Sequence, residues 1–268
     1  MKRLSFALLL SLLSSVLLAQ EIELSESELK NKLDSVLFEG NLLYKYERSA
    51  WVSSDLAMEN PTVKEEFHNY LSYEDQGGIK TIILGEGLQT CVAEYAFENN
   101  FDKPESVEIG KRALSDKERT LVEVRNKILD NINENNYEVT VQEGYNLNLV
   151  LLPFGDKYKL YFIPGTNQDK IIPFGNDYIF IADKDGKIES WQKFHSRLIA
   201  MEINENTEEI VHSHLRTTPF ITATDICTFK LYAPFYKIDA FSVASPAIQK
   251  YMKYSIKDNS ITVKNYGE

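Results

Sequence analysis

The stretch VHSHLRTTPFITATDI, residues 211–226, contains two of the chain's four histidines and ends in a threonine- and aspartate-containing segment. Alternate side chains of an extended strand point to the same face, so His212 and His214 are predicted to lie side by side. Thr222 and Asp225 have the spacing of a capping box, which predicts a helix over the following residues DICTFKLY. The stretch therefore predicts a strand that leads into a capped helix.

Two interpretations of this stretch are open. Asp225 can serve only to stabilise the helix N-terminus, with His212 a polar residue in an edge strand. Alternatively, two imidazoles and a carboxylate form a set that binds zinc in catalytic sites and leaves a fourth position for water. On the second interpretation His212, His214 and Asp225 are the predicted metal ligands. His195, in WQKFHSRLI, is expected to be a hairpin or core residue and not a ligand.

The same residues resemble a known family. The pattern H-x-H-x7-[ST]-x2-D is the signature of the JAMM (MPN+, JAB-type) zinc metalloproteases. This chain resembles it with His212-Ser213-His214, then seven residues, Thr222, two more residues and Asp225. The resemblance covers about residues 113–263. It implies that His212, His214 and Asp225 bind zinc as the cofactor and that Thr222 helps to stabilise the oxyanion.

The family also uses an upstream glutamate as general base, usually in E-x-x-G at the start of a strand. Glu143, in EGYNLNLVLLPFG, lies 69 residues before His212 and precedes an apolar strand, although Asn146 stands where the glycine belongs. Glu189 is the alternative base, and Leu215 replaces a proline that many members carry. Deprotonation of a bound water needs a positioned base, so hydrolysis depends on such a glutamate.

The N-terminus has the layout of a secretory signal peptide. Residues 1–19, MKRLSFALLLSLLSSVLLA, place two cations before an uncharged, leucine-rich stretch that ends in a small residue. Cleavage is predicted after Ala19, and Gln20 is not the cysteine that a bacterial lipoprotein needs. The sequence thus predicts an exported protein, periplasmic or secreted, with no membrane span after cleavage.

Charge and composition restrict the partners. The chain has 29 basic and 40 acidic residues, and loss of Lys2 and Arg3 would bring the net charge from −11 to −13. Such a chain repels polyanions, so nucleic acid is not expected as a partner. The two cysteines, Cys91 and Cys227, allow one disulfide in an oxidising compartment.

The order of elements predicts an α+β fold with a mixed or antiparallel sheet and flanking helices. Residues 20–110 are predicted to form a small α+β region: a short helix after the capping box at Ser25, then strands that include LLYKYERSAWV (42–52). Residues 111–268 are predicted to form the JAMM-like domain, with a helix after the capping box at Ser115 and successive strands over residues 137–203.

Two functions are consistent with this pattern. The first is an exported zinc-dependent hydrolase that cleaves an amide, peptide or isopeptide bond, for which a peptide or cell-envelope component is the expected substrate. The second is a JAMM-like envelope module that binds or interacts without catalysis. An unrelated exported α+β protein is the third alternative.

Overall fold

A computed structural model describes residues 24–267 of the chain. The predicted signal peptide and its cleavage after Ala19 lie outside these residues. Within residues 24–267, no helix has the length and apolar character needed to cross a membrane. Four helices and fourteen strands in this part of the chain make an α+β fold, which confirms the predicted class.

The first helix is much longer than the sequence pattern predicts. Helix α1 spans Glu26–Glu59 and begins at the capping box of Ser25, and a short helix α2 follows over Pro61–Glu66. The predicted strand over residues 42–52 is wrong, because those residues lie within α1. Their aromatic content is typical of strands, but buried residues among them recur at helical spacing and lie on one face: Leu43, Tyr46, Glu47 and Ala50.

The first sheet is a four-stranded antiparallel meander, in which β2 and β3 lie in the region where the sequence predicts strands. Its strands, in order, are β1 (Asn69–Asp75), β2 (Gly78–Leu84), β3 (Thr90–Phe97) and β4 (Ser106–Ala113). A short 3-10 helix, Glu86–Leu88, joins β2 to β3. The proposed domain boundary after residue 110 falls inside β4, and the division into two domains stays a prediction. Helix α3 (Asp116–Glu134) then begins at the capping box of Ser115, as predicted.

The middle of the chain forms two further antiparallel sheets. The larger has the order β5-β6-β8-β9, and the smaller pairs β7 with β10: β5 (Asn146–Phe154), β6 (Lys157–Gly165), β7 (Ile171–Gly175), β8 (Tyr178–Ala182), β9 (Ile188–Lys193) and β10 (Leu198–Glu202). The strand predicted over residues 137–143 is absent from the described sheets. Glu138 has a left-handed φ of 54°, which interrupts an extended chain.

The last sheet contains the strand that carries His212, the first of the two neighbouring histidines. Strand β11 (Glu209–Ser213) runs parallel to β12 (Ala240–Ser245), and β13 (Lys250–Ser255) and β14 (Ser260–Asn265) continue the sheet antiparallel. Helix α4 (Ala223–Tyr236) is the crossover between the two parallel strands, as parallel pairing requires.

Helix α1 packs against α4 and so supports the end of the molecule where β11 and α4 meet. The contact is close at Gly40, where an added Cβ would lie 2.8 Å from Cβ of Ile226. One large core cluster includes buried residues of both helices and of β12. A second core lies between α3, the first sheet and the β5-β6-β8-β9 sheet. Cys91 and Cys227 are both buried and free, so the disulfide is not formed.

Candidate metal centre

Four buried side chains meet where β11 ends and α4 begins. The three predicted ligands, His212, His214 and Asp225, lie together, and His195 joins them from the bend between β9 and β10. One ligand atom from each of the four lies within 4.8 Å of the others. His195, which the sequence predicts to be a hairpin or core residue, is buried in this bend, and its ring faces the same centre as the three predicted ligands.

Several separations between the four donors are close to those in the first shell of a tetrahedral metal ion. Nε2 of His214 lies 2.9 Å from Nε2 of His195 and 3.1 Å from Nε2 of His212. Oδ1 of Asp225 lies 3.5 Å from Nε2 of His195 and 3.3 Å from Nε2 of His212, and Oδ2 lies 3.3 Å from Nε2 of His214. Zinc bonds of about 2.0 to 2.1 Å in a tetrahedron put neighbouring ligand atoms about 3.3 Å apart.

Hydrogen bonds at Nδ1 orient two of the imidazoles with Nε2 toward the centre. His195 donates from Nδ1 to Oδ1 of Asp177 at 2.7 Å. His214 Nδ1 lies 2.7 Å from the carbonyl oxygen of Phe220 and 3.2 Å from that of Thr218, and neither can donate. With the proton on Nδ1, each neutral ring presents its Nε2 lone pair to the centre. Lone pairs and a carboxylate that converge on one point repel each other unless a cation lies between them.

The two carboxylate oxygens of Asp225 have different surroundings: Oδ2 belongs to the helix cap, and Oδ1 faces the centre. Oδ2 accepts from the backbone N–H of Thr222 at 2.8 Å and from its hydroxyl at 2.7 Å. Oδ1 is buried without a hydrogen-bond partner among the described residues, and so is Nδ1 of His212. A bound cation would satisfy Oδ1, whose burial is otherwise costly. The residues present therefore fit a metal ion.

The electrostatics of the site favour positive charge. Burial raises the pKa of Asp225, but the neighbouring histidines outweigh this and hold it well below its usual range. Burial lowers the pKa of His195, yet Asp177 and Asp225 outweigh burial and raise it to about 9. Burial also lowers the pKa of His212, which Asp225 only partly offsets. The carboxylate is thus ionised, and a proton on His195 or a metal ion balances it.

The surrounding residues hold His195 in place. Asp177, between β7 and β8, accepts from His195 and also from the Thr224 hydroxyl at the start of α4. Gly175 has a φ of +74°, and an added Cβ there would lie 2.3 Å from the carbonyl oxygen of Arg197. The bend that carries His195 can approach β7 this closely only because residue 175 is a glycine.

The two predicted catalytic residues have different positions. Thr222 is buried beside the centre, where its hydroxyl bonds Asp225 and forms the predicted capping box. Glu143 lies on an exposed turn before β5 and is not one of the four clustered residues. Glu189, the alternative base, lies in β9 and forms an ion pair with Lys157. The structure therefore brings Thr222, but not Glu143, next to the ligands.

Sequence reasoning missed His195 as a donor and Asp177 as its partner. Both residues lie in connections between strands, far from β11 in the sequence. No rule of spacing relates such connections to β11, so the sequence does not show that they meet it in the fold. The one available signal for His195 was the scarcity of histidine, since the chain has only four.

Comparisons with known proteins add no family: no family model, no curated protein and no solved structure matches this chain. The JAMM resemblance therefore stays a prediction from the residues.

Proposed function

We propose that this chain is a zinc-binding protein in which His195, His212, His214 and Asp225 hold one ion. The observation that carries the proposal is the convergence of four buried donor residues, whose ligand atoms lie within 4.8 Å of one another and as close as 2.9 to 3.5 Å in five pairs. Three imidazoles and one carboxylate suit zinc, whereas calcium and magnesium prefer oxygen ligands.

A closed centre of this kind favours a structural role. Zinc sites with four protein ligands are structural, while catalytic sites keep one position for water or substrate. All four donor residues are buried, with His212 the most exposed at 6%. The ion would tie the bend at His195 to β11 and to the start of α4, and its binding energy would add to folding stability. This role corresponds to the non-catalytic JAMM-like module.

Cobalt substitution tests the four-ligand centre. Cobalt(II) in a tetrahedral site absorbs visible light more strongly than cobalt(II) with added water ligands, so its spectrum reports coordination. We expect a tetrahedral spectrum for the wild type and a weaker, shifted spectrum for His195→Ala. Identical spectra for the two proteins would remove His195 from the ligand set.

A JAMM-type hydrolase is the second candidate, and two observations favour it. The matched signature is followed by α4, β12 and the β13–β14 hairpin, the order that the resemblance implies. The buried pair of Asp177 and His195 also offers a group for acid–base chemistry at the centre, because the carboxylate stabilises the protonated form of the imidazole. His212, His214 and Asp225 would then hold the ion without His195.

In that case the catalytic roles of the residues would differ from those that the sequence predicts. Zinc would supply Lewis-acid polarisation of a carbonyl and a lowered pKa for water. His195, once neutral beside the bound cation, would accept a proton at Nε2 while Asp177 holds its Nδ1–H. Thr222, whose hydroxyl bonds Asp225, would orient that ligand.

Hydrolysis assays separate the two candidates. The zinc-loaded protein is offered a fluorogenic peptide pool, an isopeptide and purified peptidoglycan, with His214→Ala as the blank. The hydrolase candidate predicts cleavage that His195→Ala and Asp177→Asn abolish and Glu143→Gln retains. The structural candidate predicts no cleavage by any of these proteins. Activity that only Glu143→Gln abolishes would restore Glu143 as the base.

A further inference from the structure

The hydroxyl of Thr224 lies directly behind the candidate metal centre. The residue is 1% exposed and occupies the second position of α4, immediately before Asp225. Its hydroxyl donates to Oδ2 of Asp177, and Oδ1 of Asp177 accepts from Nδ1 of His195. Two consecutive hydrogen bonds therefore connect the start of α4 to an imidazole of the centre.

The carboxylate of Asp177 has one hydrogen bond at each oxygen. Among the described residues Thr224 is the only donor to Oδ2, and Asp177 is 1% exposed. The backbone carbonyl of Asp177 also accepts from the backbone N–H of Phe194 at 3.0 Å. That backbone bond keeps the connection between β7 and β8 beside the bend that carries His195, but it does not fix the rotation of the carboxylate. The Thr224 hydroxyl does so.

The same turn of α4 also holds the carboxylate ligand. Thr222 donates from its backbone N–H and from its hydroxyl to Oδ2 of Asp225. The hydroxyl oxygens of Thr222 and Thr224 lie 2.9 Å apart. The supports of Asp225 and His195 thus meet at two neighbouring hydroxyls, although the two ligands lie 30 residues apart in the sequence. Partners that orient metal ligands commonly change metal affinity by about 10- to 100-fold.

We propose that Thr224 is a positioning residue of the metal centre, which holds Nε2 of His195 at the ion by fixing the carboxylate of Asp177. This inference rests on the metal ion proposed above. The hydroxyl thereby decides whether four protein ligands close the centre or one position is left for water. Its effect on the metal passes through Asp177 and does not depend on the packing of α4.

Cobalt(II) binding by an isosteric variant tests the proposal. Thr224→Val keeps the shape of the side chain and removes the hydroxyl, so water should partly replace His195 and the visible absorption should weaken, as in His195→Ala. Zinc affinity, measured by competition with a chromophoric chelator, should fall by about tenfold. Thr228→Val removes another buried hydroxyl one turn later in α4 and is the matched control. It should keep the spectrum and the affinity of the wild type.

A second pair of variants decides the matter if Thr224→Val does not fold. Thr224→Ser and Thr224→Ala both lose the methyl group and differ in the hydroxyl, so the serine variant should recover most of the affinity that the alanine variant loses. In the background of Asp177→Asn, Thr224→Ala should add little to the loss of affinity. The two changes interrupt the same connection, and such changes are not additive.

The outcomes distinguish this inference from the proposed metal ion. A wild-type protein that binds neither cobalt nor zinc would overturn both. A tetrahedral wild-type spectrum that Thr224→Val and Thr224→Ala leave unchanged would overturn the role of Thr224 alone. Equal losses in Thr224→Ser and Thr224→Ala, or a loss that adds fully to that of Asp177→Asn, would overturn it as well.

Discussion

Asp225 and Glu47 are two buried carboxylates with opposite behaviour. They are 1% and 3% exposed, so burial alone would raise the pKa of both. For Asp225 the histidines outweigh burial and hold the pKa well below its usual range. For Glu47 burial outweighs the single hydrogen bond from Asn148 and raises the pKa to about 7. The partners of a buried carboxylate, more than its depth, decide its charge.

Both carboxylates nevertheless have one oxygen without a hydrogen-bond partner among the described residues. At Asp225 that oxygen faces imidazole nitrogens spaced for a metal ion, whereas at Glu47 it belongs to a residue that lines an acidic, aromatic cavity. The orphaned oxygen of Asp225 therefore points to a metal ion, whereas burial raises the pKa of Glu47 to about 7 and lets that carboxyl hold a proton instead.

The largest expected effect follows from removal of an imidazole beside Asp225. His214→Ala leaves the ionised carboxylate without a main partner, so we expect zinc content to fall from about one per chain to near zero. The free energy of unfolding should fall by about 3–5 kcal/mol, as for other broken buried ion pairs. Elemental analysis and urea unfolding measure the two effects. His68→Ala, at an exposed histidine, should keep both values at wild-type level. Unchanged zinc content in His214→Ala would contradict the site.

The next effect is at Glu47 and depends on pH. Its folded-state pKa of about 7 lies above the ordinary 4.5, so the folded state holds the proton more tightly. Its contribution to stability is therefore complete below pH 4.5 and is lost as the pH rises to 7. Relative to wild type, Glu47→Gln should be about neutral near pH 5 and more stable by roughly 3 kcal/mol at pH 8.

Urea unfolding of metal-free protein between pH 5 and 8 measures this difference. Glu59→Gln, the exposed carboxylate on the same helix, should show no comparable trend. A difference between Glu47→Gln and wild type that stays constant across this range would mean that Glu47 titrates normally, and the contrast with Asp225 would fail.

The smallest effect is expected at Asp177, whose carboxylate accepts the hydrogen bond that holds His195 at the metal centre. Asp177→Asn removes the charge that holds Nδ1–H of His195, so we expect zinc affinity to fall by about 10- to 100-fold. Competition with a chromophoric chelator measures the affinity. Asp185→Asn, at a surface ion pair, is the matched control. Equal affinities in Asp177→Asn and wild type would show that His195 does not depend on Asp177.

Local features of this fold could be predicted from the sequence, and long-range ones could not. The alternation of His212 and His214 and the cap from Thr222 to Asp225 depend on near neighbours, so their geometry follows from spacing. His195 arrives through a bend that packs on Gly175, which is a tertiary contact.

The same distinction explains the error at residues 42–52. Their aromatic residues favour a strand locally, but in the fold these residues belong to α1, which packs against α4. Similarly, the place of Glu143 before an apolar strand is correct, yet the turn that carries it is exposed.

A crystal structure of the zinc-loaded protein, with data collected at the zinc absorption edge, tests the central claim most directly. We predict one anomalous peak between β11 and α4, with His195, His212, His214 and Asp225 each about 2.0–2.2 Å from the ion. No peak at this position would contradict the metal centre. A peak with His195 Nε2 more than about 3 Å away and a water in its place would contradict the closed centre and favour the hydrolase.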